Sequence, residues 1–235
     1  MGNKLRVIIA AAGLGSRMKS DINKQYMLLA GKPVLYHSLK VFNEIEVVDE
    51  IIVVAHLDEI DYCQKNIIDK YEFAKVTKLI PGGKERQESV RKGLENLDSR
   101  TNLVAVHDGA RPLLESKLVM KIYDEAREHG AAIPGVLAKE TLKIIDNNNF
   151  IKETLDRSHI VTIQTPQIFN YQELVKAYHL ATEDNFKGTD DASIYEKYVG
   201  KVKLVIGDST NIKITNPEDI IFAEQLMLAK NSELR

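Results

Sequence analysis

The chain has 235 residues, 44% of them hydrophobic and 28% charged, with a formal net charge of −2. That is enough chain for one large globular domain with a full core, and the charge leaves no basic footprint for nucleic acid. A single cysteine, Cys63, excludes an internal disulfide and a cysteine zinc cluster. No apolar run nears the ~18–20 residues of a membrane span. The run at residues 8–12 is too short and wrongly flanked for a signal peptide, so a cytoplasmic location is expected.

Short apolar runs alternate with helical patterns. Leu5 to Ile9 reads as a buried strand, followed by a turn of small residues, Ala10, Ala11, Ala12, Gly13 and Gly15. Pro33 opens a helix with apolar positions Val34, Leu35, Leu39 and Phe42. Residues 50–57 form a second strand, 59–70 a polar helix and 76–80 a third strand. Val90, Leu94 and Leu97 share one helical face; 103–106 is a fourth strand, and the helix around 118–126 stops at Gly130. Strands alternating with helices imply a mostly parallel α/β sheet covered on both faces.

After Gly130 the rhythm changes. Extended stretches flank Asp146-Asn147-Asn148-Asn149, a turn signal, and predict a β-arm at about 137–160 on a single domain spanning 1–235. Such an arm exposes apolar faces unless a partner covers them, so a homodimer is expected. Residues 171–180 return to helix, 203–206 and 211–215 to strand. Asn216-Pro217-Glu218-Asp219 starts a last helix that runs to about residue 229.

Ligands of such sheets bind beyond the carboxyl ends of the strands. Three of those ends carry polar or glycine-rich segments, 13–24, 82–89 and 107–111, which predicts one shared site. In the first, bare backbone amides stand beside Arg17 and Lys24, a combination suited to a polyphosphate. Met18 stands where a dinucleotide fingerprint needs its third glycine, and no Gly-Lys-Ser/Thr ending makes a P-loop. In the second, Gly82, Gly83 and Ser89 offer amides and a hydroxyl to the polar edge of a base; alone they would be a plain strand-to-helix turn. In the third, Asp108 ends a buried strand, whereas its neighbour His107 points to the opposite face and is expected to be structural. Thr141, Arg157, Thr165, Thr189, Asp190, Asp191 and Lys213 are scattered polar groups, and the plain reading of Asp190-Asp191 is helix capping. No base–nucleophile pair and no Cys/His cluster is present, so the equipment fits phosphoryl or nucleotidyl transfer by positioning and charge stabilisation.

AAAGLGSRM…NKQY, GGKERQESV, VHDGARP, TPQ, TDDAS and NIKIT occur in this order from about Lys4 to about Leu228. Together they resemble the 2-C-methyl-D-erythritol 4-phosphate cytidylyltransferases. Two departures are visible: Asn23 stands where that family usually has proline, and Gly109 where it often has alanine. The resemblance implies a Rossmann-like nucleotidyltransferase fold, a dimer-building arm, and CTP carrying Mg²⁺ on its phosphates, with no set of residues assigned as a protein metal site. It implies that Ala11, Ala12, Gly13 and Gly15, with Arg17 and Lys24, hold the CTP phosphates. Gly82, Gly83 and Ser89 would read cytosine, and Asp108 and Gly109 would meet the ribose. Asp108, Thr141, Arg157, Thr189 and Lys213 would surround 2-C-methyl-D-erythritol 4-phosphate, Arg157 serving the partner's site. Arg17, Lys24 and Lys213 would act on the reacting phosphates. The rivals are a ribitol 5-phosphate cytidylyltransferase and a CTP sensor without chemistry. A sugar transferase would call for an Asp-x-Asp metal motif, which is missing.

Overall fold

The computed structural model describes residues 4–13 and 23–233. Gly15 and Arg17 lie outside them. One eight-stranded sheet organises the described chain. Its strands are β1 (Leu5–Ala11), β2 (Val48–Ala55), β3 (Val76–Pro81), β4 (Leu103–Asp108), β5 (Ala131–Leu137), β8 (Val161–Ile163), β9 (Gln167–Asn170) and β10 (Lys203–Ile206). The arm strands β6 (Lys143–Ile145) and β7 (Ile151–Thr154) pair separately. The order is β8-β5-β9-β4-β1-β2-β3, with β10 also on β5. Strands β1 to β4 run parallel, β9 runs antiparallel between β4 and β5, and β10 is parallel to β5. This is a Rossmann-like α/β fold with a mixed, mainly parallel sheet.

The period-2 alternation of strands decides which helices each residue meets. Val7, Ile9 and Ala105 pack with α1 (Val34–Glu44) and α3 (Ser116–His129) through Leu35, Leu39, Phe42, Val119 and Ile122. Ile8, Val104 and Val106 face the other way. They meet Val90 and Leu94 of α2 (Arg86–Glu95), Leu174 of α4 (Tyr171–Glu183) and Ile194 of α5 (Asp191–Tyr198). A smaller cluster seats α6 (Pro217–Glu233) through Ala223 on Leu29, Val34 and Ile214. Gly130 ends α3 at φ +83°, its N–H donating to the Ala126 carbonyl, the left-handed cap that glycine makes without strain.

The structure departs from the sequence reading at several elements. Residues 57–69 are not one helix but a 3₁₀ turn, a single α turn and a π segment, Gln64–Asp69. Residues 211–215 pair with no strand; they pass across the end of β4, tied by Ile214 N–H to the Ala110 carbonyl at 2.8 Å. Strand β9, directly after Pro166, is too short for its alternation to stand out. The last helix runs on to Glu233, and its Leu226 and Met227 pack against the Leu29 cluster. The arm keeps the expected bounds: residues 131–137 belong to the central sheet, and the separately paired hairpin follows Leu137. In the arm turn, the Asp146 carboxylate accepts from the N–H groups of Asn148 and Phe150, both at 2.9 Å, and Asn149 sits at φ +64°. No helix among the described residues is long and apolar enough to cross a membrane.

Candidate active site

The carboxyl ends of β1, β3 and β4 open on a cavity of about 650 Å³, a size suited to a small-molecule ligand. The three segments singled out at the strand ends meet here. Ala11, Ala12, Gly13, Lys24, Gly83, Ser89, Asp108 and Lys213 all line it. Gln25 pins the β1 turn from behind, donating to the Ala11 carbonyl at 2.8 Å and to that of Gly13 at 3.4 Å.

The second segment is a tightly braced turn. Gly82 N–H donates to the Ala55 carbonyl at 2.8 Å. Ser89 accepts from Gly83 N–H at 3.0 Å and donates to the Glu85 carbonyl at 3.1 Å. A methyl group at Gly82 would collide with the Ala12 Cβ and lie 2.8 Å from Ser89 Oγ. Only glycine lets the ends of β1 and β3 close this far.

Asp108 is the hub. Alternation along β4 turns it toward α2 and α5 and turns His107 toward α1, where its ring meets Phe42 at 5.2 Å. Arg86 Nε donates to Asp108 Oδ1 at 3.1 Å, Lys213 Nζ to Oδ2 at 2.7 Å, and Arg111 Nε lies 4.0 Å away. Burial alone would raise this carboxyl's pKa, but Arg86, Lys213 and Arg111 outweigh it and hold the group well below the usual carboxylate range. Arg86 grips Asp191 with its two terminal nitrogens at 3.1 and 2.8 Å. Burial works against its charge, yet Asp191 and Asp108 keep its pKa above the ordinary arginine value. His107 is fully buried and its pKa is lowered to about 3, chiefly by that burial. It is structural, as the alternation implied.

Other expected site residues stand elsewhere. Gly109 does not line the cavity; its N–H donates to the Ala10 carbonyl and its carbonyl accepts from Ser38. Thr141 and Arg157 are exposed at the base of the arm, Arg157 donating to the Lys139 carbonyl. Thr189 is exposed just ahead of α5, whose N-terminus Asp190 caps in a reciprocal box with Ser193. Sequence reasoning missed Arg86 and Asp191. No local signal marks either: an acid in the first turn of a helix is satisfied by water and the helix dipole, and only the fold shows that Asp191 is fully buried.

No group of three or more His, Cys, Asp or Glu side chains that could hold a metal lies among the described residues. Both Asp108 oxygens are engaged by cations, so the donor set fits a metal carried on a ligand's phosphates rather than in a protein cage.

A family model described as 2-C-methyl-D-erythritol 4-phosphate cytidylyltransferase matches residues 5–229. A protein of that description from Caldanaerobacter subterraneus subsp. tengcongensis is 48% identical over 92% of this chain and 96% of its own length. One from Clostridium acetobutylicum is 44% identical over 96% and 97%. Among solved structures, the 4-diphosphocytidyl-2C-methyl-D-erythritol synthase of Anaerococcus prevotii superposes with a TM-score of 0.85 at 35% identity, covering 96% of both chains. The Francisella tularensis 2-C-methyl-D-erythritol 4-phosphate cytidylyltransferase gives 0.80 at 33%, covering 94% of this chain and 99% of its own. With a match across nearly its whole length and a cavity of the right chemistry at its strand ends, this chain belongs to the 2-C-methyl-D-erythritol 4-phosphate cytidylyltransferase family.

Proposed function

We infer that the chain transfers the cytidylyl group of CTP to 2-C-methyl-D-erythritol 4-phosphate, giving 4-diphosphocytidyl-2-C-methyl-D-erythritol and diphosphate. The observation that carries this reading is the family match over residues 5–229. The acceptor's phosphate oxygen attacks the α-phosphorus in line. A new phosphorus–oxygen bond forms as the bond to the bridging oxygen breaks, and diphosphate departs with the electron pair. The attacking phosphate is already anionic near neutral pH, so the absence of a base–nucleophile pair is no obstacle.

In this reading the triphosphate lies along Ala11, Ala12, Gly13 and Gly15. Arg17, Lys24 and Lys213 offset the charge that builds on the α-phosphate and the leaving group. Ser89 donates its proton to the Glu85 carbonyl. It therefore faces the cavity as an acceptor, which suits the 4-amino group of cytosine. Gly82 and Gly83 shape the turn that carries Ser89: a Cβ at Gly82 would meet Ala12 and Ser89, and one at Gly83 would meet Glu88. Asp108, with Gly109 bracing the segment behind it, meets the ribose and the acceptor. Mg²⁺ bound to the phosphates would supply charge neutralisation of the triphosphate.

Thr141, Arg157 and Thr189 complete the acceptor pocket, Arg157 in the partner's site. Ile145, Phe150 and Ile151 on the arm are 56%, 71% and 64% exposed. Apolar exposure of this extent on a projecting hairpin supports a homodimer in which each arm lies on the other subunit. The test is diphosphate release from CTP and Mg²⁺, with 2-C-methyl-D-erythritol 4-phosphate and ribitol 5-phosphate in parallel. Turnover with the first alone is expected. Turnover with the second alone would overturn the acceptor, and CTP binding without turnover in either would point to a sensor.

A further inference from the structure

Behind the cavity wall lie two polar side chains, Tyr178 and Asp191, that the reaction scheme leaves without a role. Tyr178 on α4 is buried and donates its hydroxyl proton to Asp191 Oδ1. Asp191, fully buried at the start of α5, takes both terminal nitrogens of Arg86. Arg86 donates Nε–H to Asp108 Oδ1, and Asp108 Oδ2 receives Lys213. Gln167 on β9 fastens the far end: its Oε1 accepts Ala192 N–H at 3.0 Å and its Nε2 donates to Asp190 at 2.8 Å. The line of contacts runs unbroken from the sheet, through α5, to the ammonium on the cavity wall. Neither Tyr178 nor Asp191 lines the cavity.

We propose that Asp191, held by Tyr178, is a positioning residue that fixes the Arg86 guanidinium and so sets the Asp108 carboxylate that presents Lys213. The inference rests on the proposed transfer reaction for its kinetic consequence. The physical reason is geometric. An arginine side chain has many rotamers, and a two-pronged grip by a buried carboxylate leaves it one. With that grip in place the guanidinium is held in the orientation that puts Nε–H on Asp108 Oδ1, and Oδ2 is left to Lys213. With Asp191 neutralised, Arg86 is released to face Asp108 with two nitrogens and competes with Lys213 for the second oxygen.

Two readouts test this in the full-length protein. In diphosphate release, Tyr178→Phe lowers kcat about tenfold to hundredfold with the KM for CTP unchanged, the size expected for one lost hydrogen bond to a charged group. In a Lys213→Met background the same substitution has no further effect, since a contribution transmitted through Lys213 vanishes with it. Multiplicative losses in the double variant would overturn the proposal, because a merely structural role multiplies. The second readout needs no turnover: competitive acetylation followed by peptide mass spectrometry. Lys213 should react several times faster in Asp191→Asn and Tyr178→Phe than in the parent, with exposed, remote Lys40 unchanged. Equal Lys213 reactivity in folded parent and variants would also overturn it. Altered reactivity in a protein that turns over neither acceptor would instead reject the proposed reaction and leave the positioning intact.

Discussion

His107 makes the stability of this protein sensitive to mild acid in a way that can be calculated. Its ring is wholly buried. Asp108 N–H donates to Thr165 Oγ1 at 3.1 Å, the Thr165 hydroxyl reaches His107 Nδ1 at 3.1 Å, and Nε2 meets the Arg111 carbonyl at 3.3 Å. Every donor has an acceptor only if the ring is neutral with its proton on Nε2, the tautomer this network assigns. Burial, helped by Arg111 and opposed by Asp108, lowers the pKa from 6.5 to about 3. The unfolded chain binds this proton below about pH 6.5, while the folded chain refuses it until about pH 3, so stability falls as pH drops through that window. The loss from this residue is about 2 kcal/mol at pH 5 and approaches about 5 kcal/mol near pH 3. Asp108, its carboxyl pKa depressed in the fold, loses its contribution only below the unfolded carboxylate value of about 3.9, so pH 5–7.5 separates the two. His37 is also lowered by burial, and the comparison must therefore be a difference. Urea unfolding of the parent and of His107→Gln is measured across pH 7.5 to 5. The variant is the less stable at pH 7.5, and the gap should narrow by about 2 kcal/mol at pH 5. Parallel pH profiles would refute the reasoning.

Lys24→Ala and Arg17→Ala should each lower kcat/KM by about 10²–10³, the usual cost of one preorganised contact to developing charge, and near-parent turnover in both would sink the mechanism. Gly82→Ala forces a methyl group onto Ala12 and Ser89; it should cost about 1–3 kcal/mol in urea unfolding and weaken CTP in calorimetry, and unchanged binding would separate this turn from the base site. Phe150→Asp should give a monomer by sedimentation at micromolar concentration, with activity falling alongside; an unaffected dimer would place the contact elsewhere. Equal mixing of refolded Lys24→Ala and Arg157→Ala chains should restore about a quarter of parent activity, because half the dimers then hold one site with both residues intact. If Arg157 acts within its own chain, no activity returns.

The parts of the fold that are legible in the sequence are those governed by local patterns. Apolar runs give β1, β2 and β4 directly, and Pro33 and Gly130 mark helix ends by their own backbone chemistry. The convergence of three strand ends also follows from topology alone. What escapes depends on contacts between distant positions. Arg86 and Asp191 are 105 residues apart, and each alone looks like a solvated charge. Residues 211–215 have a strand-like composition, but whether they join the sheet depends on whether an edge is free where they pass. Asp190 and Asp191 show the limit most clearly. The capping reading holds for the first, while the second turns inward to a guanidinium on another helix.

The charges around Asp108 show how a carboxylate can stand in a cavity proposed to take anionic substrates. Asp108 and Asp191 carry two negative charges, against three positive ones on Arg86, Arg111 and Lys213. The array is therefore cationic in a chain whose net charge is −2. Removing any one partner from a buried carboxylate is normally costly, because the charge left behind is neither solvated nor paired. Here it is not left alone. If Lys213 turns from Asp108 toward an arriving phosphate, Arg86 still binds the other oxygen and Arg111 still lies within 4.0 Å. The ammonium can then be lent to the reaction while Asp108 stays paired. A simple two-membered Asp108–Lys213 bridge would resist that exchange. The redundancy of cations at this strand end means that Asp108 does not depend on Lys213 alone for its pairing.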